Sequence, residues 1–345
     1  MHMADALLSP AVGCTMWGAS AAAIAYCSRK VRTDMDDRNV PLMGVLGAFI
    51  FAAQMINFTI PATGSSGHLG GGLLLAVLLG PHAAFLTIAS VLAVQAFFFA
   101  DGGLLALGCN IFNLGVFPAF IAYPLIYRRL AGPGTSPGRI TAASIPAAIV
   151  ALQLGAFGVV LQTVASGISA LPFTSFATLM QSIHLGIGIV EGVVTAAVIT
   201  FVSAARPEII RHQPAQSGNR SLKPLLAFFL CAALLTGGIL SWYASEHPDG
   251  LEWSIAGVTG KEELTGQAGG IHGMLNRVQE RFALLPDYNF KKPGTESRTP
   301  ESAARAASPG SGRLGTSVSG LLGGCLTLLL AGIIGFILKR RGPAA

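Results

Sequence analysis

Hydrophobic residues in this chain fall in long unbroken runs, not in the short alternations of half-buried surface helices or strands. Stretches near the roughly 17–25 residues that cross a bilayer cover 10–28, 41–58, 104–127, 140–165, 177–204, 224–243 and 317–338. Residues 69–99 hold two more, broken at Gly80-Pro81-His82. Basic clusters punctuate the runs: Arg29, Lys30 and Arg32, then Arg128 and Arg129, then Arg206 and Arg211, and finally Lys339, Arg340 and Arg341. Loops rich in Lys and Arg stay cytoplasmic, so the N-terminus is expected outside, with loop 59–68 on the same side. For Arg128 and Arg129 to be inside as well, residues 69–99 must cross twice, although 69–80 is short for a span and must be thin, tilted or tucked beside other helices. The fold class expected is an all-α integral membrane protein of about nine transmembrane helices, seven before residue 210 and two after, with the C-terminus cytoplasmic.

Residues 244–316 interrupt the apolar pattern and by parity lie outside. Their first half, with Trp253, Ile255, Ile271, Met274, Leu275, Val278, Phe282 and Leu284, has the helical spacing of a partly folded region. From Lys291 to Gly315 the run of Pro, Ser, Gly, Ala and Arg reads as a flexible tether. No internal repeat is evident.

Composition sharpens this reading. Of 345 residues, 52% are hydrophobic and 11% charged, against roughly 25% charged in a soluble domain. The net charge of +6 is unevenly spread: residues 244–316 hold eight Lys/Arg and nine Asp/Glu, and the rest of the chain holds fourteen and seven. The positive excess therefore belongs to the membrane loops and is a topology signal, which excludes nucleic acid as a partner. Cys14, Cys27, Cys109, Cys231 and Cys325 lie in apolar runs without metal-finger spacing and imply no disulfide framework. A cleavable signal peptide is not expected, since the first ten residues lack a basic region and no small-residue cleavage site follows the first apolar run.

The candidate chemistry starts at Met1-His2-Met3. The α-amine of Met1, the backbone nitrogen of His2 and the His2 imidazole can grip one ion through adjacent chelate rings. Binding through a backbone nitrogen requires its deprotonation, and planar nitrogen ligation suits Ni²⁺ or Cu²⁺ best. A bulky second residue should hinder removal of the initiator methionine, so Met1 is expected to persist. Read alone, a Met-His start is more often an accident of translation or cloning. The glycine-rich loop Asn57-Phe58-Thr59-Ile60-Pro61-Ala62-Thr63-Gly64-Ser65-Ser66-Gly67-His68 supplies one more imidazole on the same side, which would close a four-nitrogen site.

Polar residues in or beside apolar runs cost energy and face a partner or a cavity. Gln54, Asn57, Gln95, Asp101, Asn110 and Asn113 have two open roles, supporting the metal ligands or bonding helix to helix. Asp5 is placed to orient a folded-back N-terminus. His184 and Glu191, seven apart on one helix face, read as packing or coupling residues. His82 and His212 are expected inside and His247 and His272 in the outer loop, none with a second ligand at a convincing spacing. Gly260-Lys261-Glu262 is not a phosphate-binding loop, and no metalloprotease or serine-hydrolase motif occurs. An enzyme is not expected.

Three stretches, MHMADALLSP, VPLMGVLGAFIFAAQMINFTIPATGSSGHLGGG and VLAVQAFFFADGGLLALGCNIFNLG, resemble the substrate-capture components of energy-coupling-factor transporters for nickel and cobalt, of the NikM and CbiM type. The C-terminal third, with Pro248-Asp249-Gly250-Leu251-Glu252 and Leu285-Pro286-Asp287-Tyr288, resembles a NikN-type accessory subunit fused to it. Relative to that pattern, Met3 replaces a commoner Ile, Ala4 and Ala6 replace Pro and Gly, and Thr59 and Ala62 replace Pro and Gly.

The resemblance implies a metal-capture domain over 1–210 and an accessory region over 211–345, the latter with helices at 224–243 and 317–338 and an extracytoplasmic loop over 244–316. It implies a planar site from Met1, His2 and His68, supported by Asp5, Asn57, Ser66, Gln95, Asn110 and Asn113. The transported ion is expected to be Ni²⁺, with Co²⁺ the close alternative. The partners implied are a transmembrane coupling subunit of the NikQ/CbiQ type and cytoplasmic ATPases of the NikO/CbiO type, in the lipid bilayer of a bacterial or archaeal cytoplasmic membrane. A stand-alone secondary transporter is the alternative class; it would be expected to carry ionisable couplers inside its helices, where Asp101 and Glu191 are almost the only acids.

Overall fold

In a computed structural model, the structure describes residues 2–34, 39–132, 136–210, 221–264, 266, 269–290 and 309–339. His212, Arg340, Arg341 and the tether residues 291–308 lie outside the described residues. Each long apolar run is a helix: α1 Pro10–Asp34, α2 Asn39–Gln54, α3 Gly72–Leu79, α4 Pro81–Phe99, α5 Leu107–Ala131, α6 Pro137–Ser166, α7 Phe173–Ala205 and α8 Lys223–Gly238. In the polar region follow α9 Gly250–Thr259 and α10 Gly270–Phe282, and the chain returns through α11 Pro309–Leu338. Five of these helices are long and apolar enough to cross a membrane by that criterion alone; α2 and α8 are shorter apolar helices. The protein is an all-helical, multi-pass membrane protein with a single two-stranded hairpin among the described residues, β1 Phe58–Ile60 against β2 Ser65–Gly67.

Side-chain contacts distinguish two ends. At one end Tyr26 meets His82 edge-on at 5.5 Å, near Arg29 and Lys30. At the other, the hairpin, the N-terminal arm and α9–α10 come together. Small residues set the approach between helices, because without a hydrophobic driving force in lipid close contact supplies the attraction. A side chain at Gly188 or Gly192 of α7 would press within 2.9 and 2.5 Å of the α6 backbone at Ile149 and Ile145. Gly237 of α8 and Gly320 of α11 meet in the same way, backbone to backbone. Large apolar residues that remain exposed, such as Leu185, Ile189 and Val193 spaced four apart on α7, make lipid-facing stripes.

The short crossing at 69–80 is resolved by depth. Eight residues of α3 rise only about 12 Å, against the roughly 30 Å of a bilayer core. Residues 69–71 therefore enter the bundle without regular secondary structure, and non-helical backbone at that depth survives only where protein satisfies it. Glu191, midway along α7, accepts from Gly70 N at 2.7 Å and Gly71 N at 3.0 Å, while Gln54 Nε2 donates to Gly70 O at 2.9 Å. Gly71 has φ +75°, and a side chain on it would strike Ile50.

Two expectations need correcting. The Gly/Ser-rich residues 309–315, read as tether, belong to α11, whose first turns pack on their neighbours: Trp242 Nε1 donates to Ser317 Oγ, and Gly315 lies against Asn289. Tertiary contact overrides the composition there. Loop 59–68 is a hairpin rather than irregular, with Thr59 opposite Ser66 and Ile60 opposite Ser65.

Candidate metal centre

The N-terminal arm is pinned along its length. Met3 N donates to Asn110 Oδ1 at 2.9 Å, Asn110 Nδ2 returns to Met3 O at 3.3 Å, and Gly103 N also donates to Met3 O at 2.9 Å. Two residues on, Asp5 Oδ1 accepts from Ala106 N at 2.9 Å, at the start of α5. Burial raises the Asp5 carboxyl above its ordinary value, partly offset by that N–H. His272 Nε2 lies 2.8 Å from Leu8 O, and Met3, Leu7 and Leu8 are fully buried.

The second arm is the hairpin, held chiefly by residues nearly two hundred positions away. Ser66 N donates to Pro248 O and the Ser66 hydroxyl to His247 O, both at 2.8 Å. The Thr59 hydroxyl reaches Ser245 Oγ at 2.9 Å, Ser245 N donates to Asn57 O, and Trp253 Nε1 donates to Thr63 O at 3.0 Å. Pro248 thus opens the motif Pro248-Asp249-Gly250-Leu251-Glu252 directly over the hairpin. Asp249 caps α9 by accepting from Leu251 N and Glu252 N, and Glu252 bonds back to Asp249 N, a reciprocal capping box. Gly250 sits where a side chain would press on His184 and Ile187.

These arms bring His2 and His68 together, their ring centroids 4.9 Å apart and their planes within 4°. Across from His2, the Asp101 Oδ1 atom lies 3.1 Å from its Nδ1. His2 Nε2 is buried with no hydrogen-bond partner, which is unusual for a native polar atom and marks a group prepared for something else. His68 Nδ1 lies 3.1 Å from Leu69 O; an N–H there leaves Nε2 as the electron-pair donor. Burial pulls the His68 pKa down to about 3, so the ring is neutral and competent to ligate. Burial works against the Asp101 charge, yet the neighbouring His2 ring and Tyr288 hydroxyl hold that carboxyl below its usual range.

Among the described residues no three His, Cys, Asp or Glu side chains converge on one point. Met1 lies outside the described residues. The rings open onto a cleft of about 1010 Å³ between the bundle and the polar region, lined also by Asp101, Asp249, Glu263 and Asp287. Such a lining favours cations over anions.

Of the proposed supporting residues, Asp5 and Asn110 hold the arm directly. Asn57 and Ser66 join the hairpin to the polar region. Gln95 sits a layer deeper, donating to Gln54 Oε1 at 2.8 Å. Asn113 lies elsewhere: it forms a reciprocal amide pair with Gln162, at 2.8 and 3.0 Å, and bonds α5 to α6. Asp101 stood out in the sequence only as an acid at a helix end, and nothing in the spacing linked it to His2.

Residues 2–209 match the family described as the cobalt uptake substrate-specific transmembrane region, CbiM, and residues 223–340 match the PDGLE domain. The chain belongs to the CbiM family. In this CbiM-family protein the PDGLE signature is Pro248–Glu252, the corner over the hairpin. A putative fused nickel transport protein of Archaeoglobus fulgidus is 32% identical over the whole of both chains. A putative metal transport protein of Haloquadratum walsbyi is 37% identical over 62% of this chain and 94% of its own. A crystal structure of a transition metal transporter superposes with a TM-score of 0.52 at 31% identity, covering 61% of this chain and 96% of that one. The CbiM-family assignment makes this a membrane component of metal transport rather than an enzyme.

Proposed function

We propose that the protein is the substrate-binding membrane component of an ATP-driven energy-coupling-factor importer for Ni²⁺. The ion is captured in a square-planar nitrogen site built from the Met1 α-amine, the His2 backbone nitrogen and imidazole, and the His68 imidazole. The observation that carries this reading is the pair of parallel, half-buried imidazoles, one on an arm whose backbone is pinned at Met3 and the other on a clamped hairpin. The relatives named as fused nickel transport proteins support the ion and the fusion. Residues 1–210 form the capture domain and 211–345 the accessory region, with the histidine end outside and the Arg29, Arg128 and Lys339 end in the cytoplasm.

The chain has no phosphate-binding loop, so energy comes from partners: a membrane coupling subunit of the NikQ/CbiQ type and ATPases of the NikO/CbiO type. Cobalt is the second reading, favoured by the family's description as a cobalt uptake region. Purified protein with its native N-terminus, equilibrated with mixed Ni²⁺ and Co²⁺ and assayed for metal content, decides between them. One nickel per chain with little cobalt is expected; a cobalt-filled site would replace the first reading with the second.

A further inference from the structure

The motif Leu285-Pro286-Asp287-Tyr288 packs on the other side of the cleft from the PDGLE corner. Leu284 N and Leu285 N donate to Phe98 O at 2.9 and 3.2 Å. The Tyr288 ring stacks on Phe99, centroids 5.1 Å apart, and meets Phe51 edge-on at 6.3 Å. Asp287 and Tyr288 have φ of +50° and +58°, a left-handed conformation that side chains of this size avoid unless the surroundings impose it. Its outcome is that the Tyr288 hydroxyl is delivered to Asp101 Oδ2, while Asp101 Oδ1 faces His2 Nδ1. Accessory region, carboxylate and imidazole stand in one line.

We propose that Asp101, braced by Tyr288, is a positioning residue that orients the His2 imidazole for metal capture; this rests on the reading of His2 as a ligand. A chelate through the backbone nitrogen of His2 closes a six-membered ring only through Nδ1, because Nε2 points away from its own main chain. In the structure Nδ1 faces Asp101, and Nε2 is the buried atom without a partner. Chelation therefore requires the ring to turn about Cβ–Cγ and its proton to pass from Nδ1 to Nε2, taken up and returned by the Asp101 carboxylate, so that Nδ1 faces the ion and Nε2–H donates to the carboxylate. Asp101 serves both states, and Tyr288 gives the accessory region a hold on one donor of the site.

The test uses the full chain with a native N-terminus, Ni²⁺ affinity by chelator competition, and the ligand-field absorption of the bound ion. Asp101→Leu should lower affinity about 10–100-fold, as for other residues that orient a ligand, and shift the absorption band. Tyr288→Phe keeps both ring contacts and removes only the hydroxyl, so a loss of about 3- to 10-fold is expected, the worth of one hydrogen bond, with the chain still folded by thermal unfolding. Asp101→Asn, which retains one acceptor oxygen, should fall between them. Wild-type affinity and spectrum in both Tyr288→Phe and Asp101→Leu, while His2→Ala has lost the ion, overturns this proposal alone. Full binding by His2→Ala overturns the reading of the site and this proposal with it.

Discussion

His2 arrives on an arm pinned mainly by the first seven helices, through Asn110, Gly103 and Ala106, whereas His68 arrives on a hairpin that the accessory region holds from above. The difference separates two tasks. On the proposed reading, the arm that carries His2 is held by the bundle, and the hairpin that carries His68 is held by the accessory region. Below the hairpin, Glu191 accepts from Gly70 N and Gly71 N deep in the bundle.

The largest effect expected is at the hairpin's own ligand. His68→Ala should weaken nickel capture by more than the roughly 10–100-fold typical of residues that merely support a ligand. His272→Ala, which loses only the contact to Leu8 O, should stay within that range. The reverse order in equilibrium dialysis would move the site into the accessory region. Next come two substitutions that should separate the arms. Asn110→Ala leaves the buried main chain of Met3 short of partners, at a cost of about 1–3 kcal/mol, and should speed hydrogen exchange in residues 3–8. Asp249→Ala removes a helix cap worth about 1 kcal/mol and should speed exchange in 58–67. If either variant loosens both arms equally, the two are one unit and the comparison fails.

Acid offers a milder probe of the same corner. His68 is neutral in the fold because burial lowers its pKa to about 3, while an unfolded histidine titrates near 6.5. Stability from this ring is whole above pH about 6.5 and is lost as pH falls from there toward about 3. Thermal denaturation of the metal-free protein should decline between neutral pH and pH 5, and decline less in His68→Ala; an identical decline in both would assign the acid sensitivity elsewhere. The smallest effect belongs to Ala62, which carries φ +63° in the hairpin turn. Ala62→Gly relieves that strain and should stabilise the hairpin by less than about 1 kcal/mol, seen as slower exchange at 58–67.

How much of this was legible without coordinates follows from range. Apolar length marks the helical passes, and the short stretch at 69–80 announces its own problem, although its answer lies in Glu191, more than a hundred residues away. The pairing of His2 with His68 follows from parity and from the resemblance. The hairpin is invisible to local patterning because its strongest partners are Ser245, His247, Pro248 and Trp253. Asn113 shows the same limit from the other direction: a buried amide reads equally as support for a ligand or as a bond between helices, and only its neighbour Gln162 decides. The departure at Ala62 was visible as a replaced glycine, and its φ shows what that replacement costs.

The central claim is that the free α-amine at Met1 completes the site. Nickel binding by the native chain and by a chain extended by one residue before Met1, followed by metal content and by the ligand-field band of planar nickel, tests it most directly. One bound nickel with a planar-site spectrum is expected in the native chain, and loss of stoichiometric binding in the extended one. An extended chain that binds one nickel with the same affinity and spectrum would contradict it.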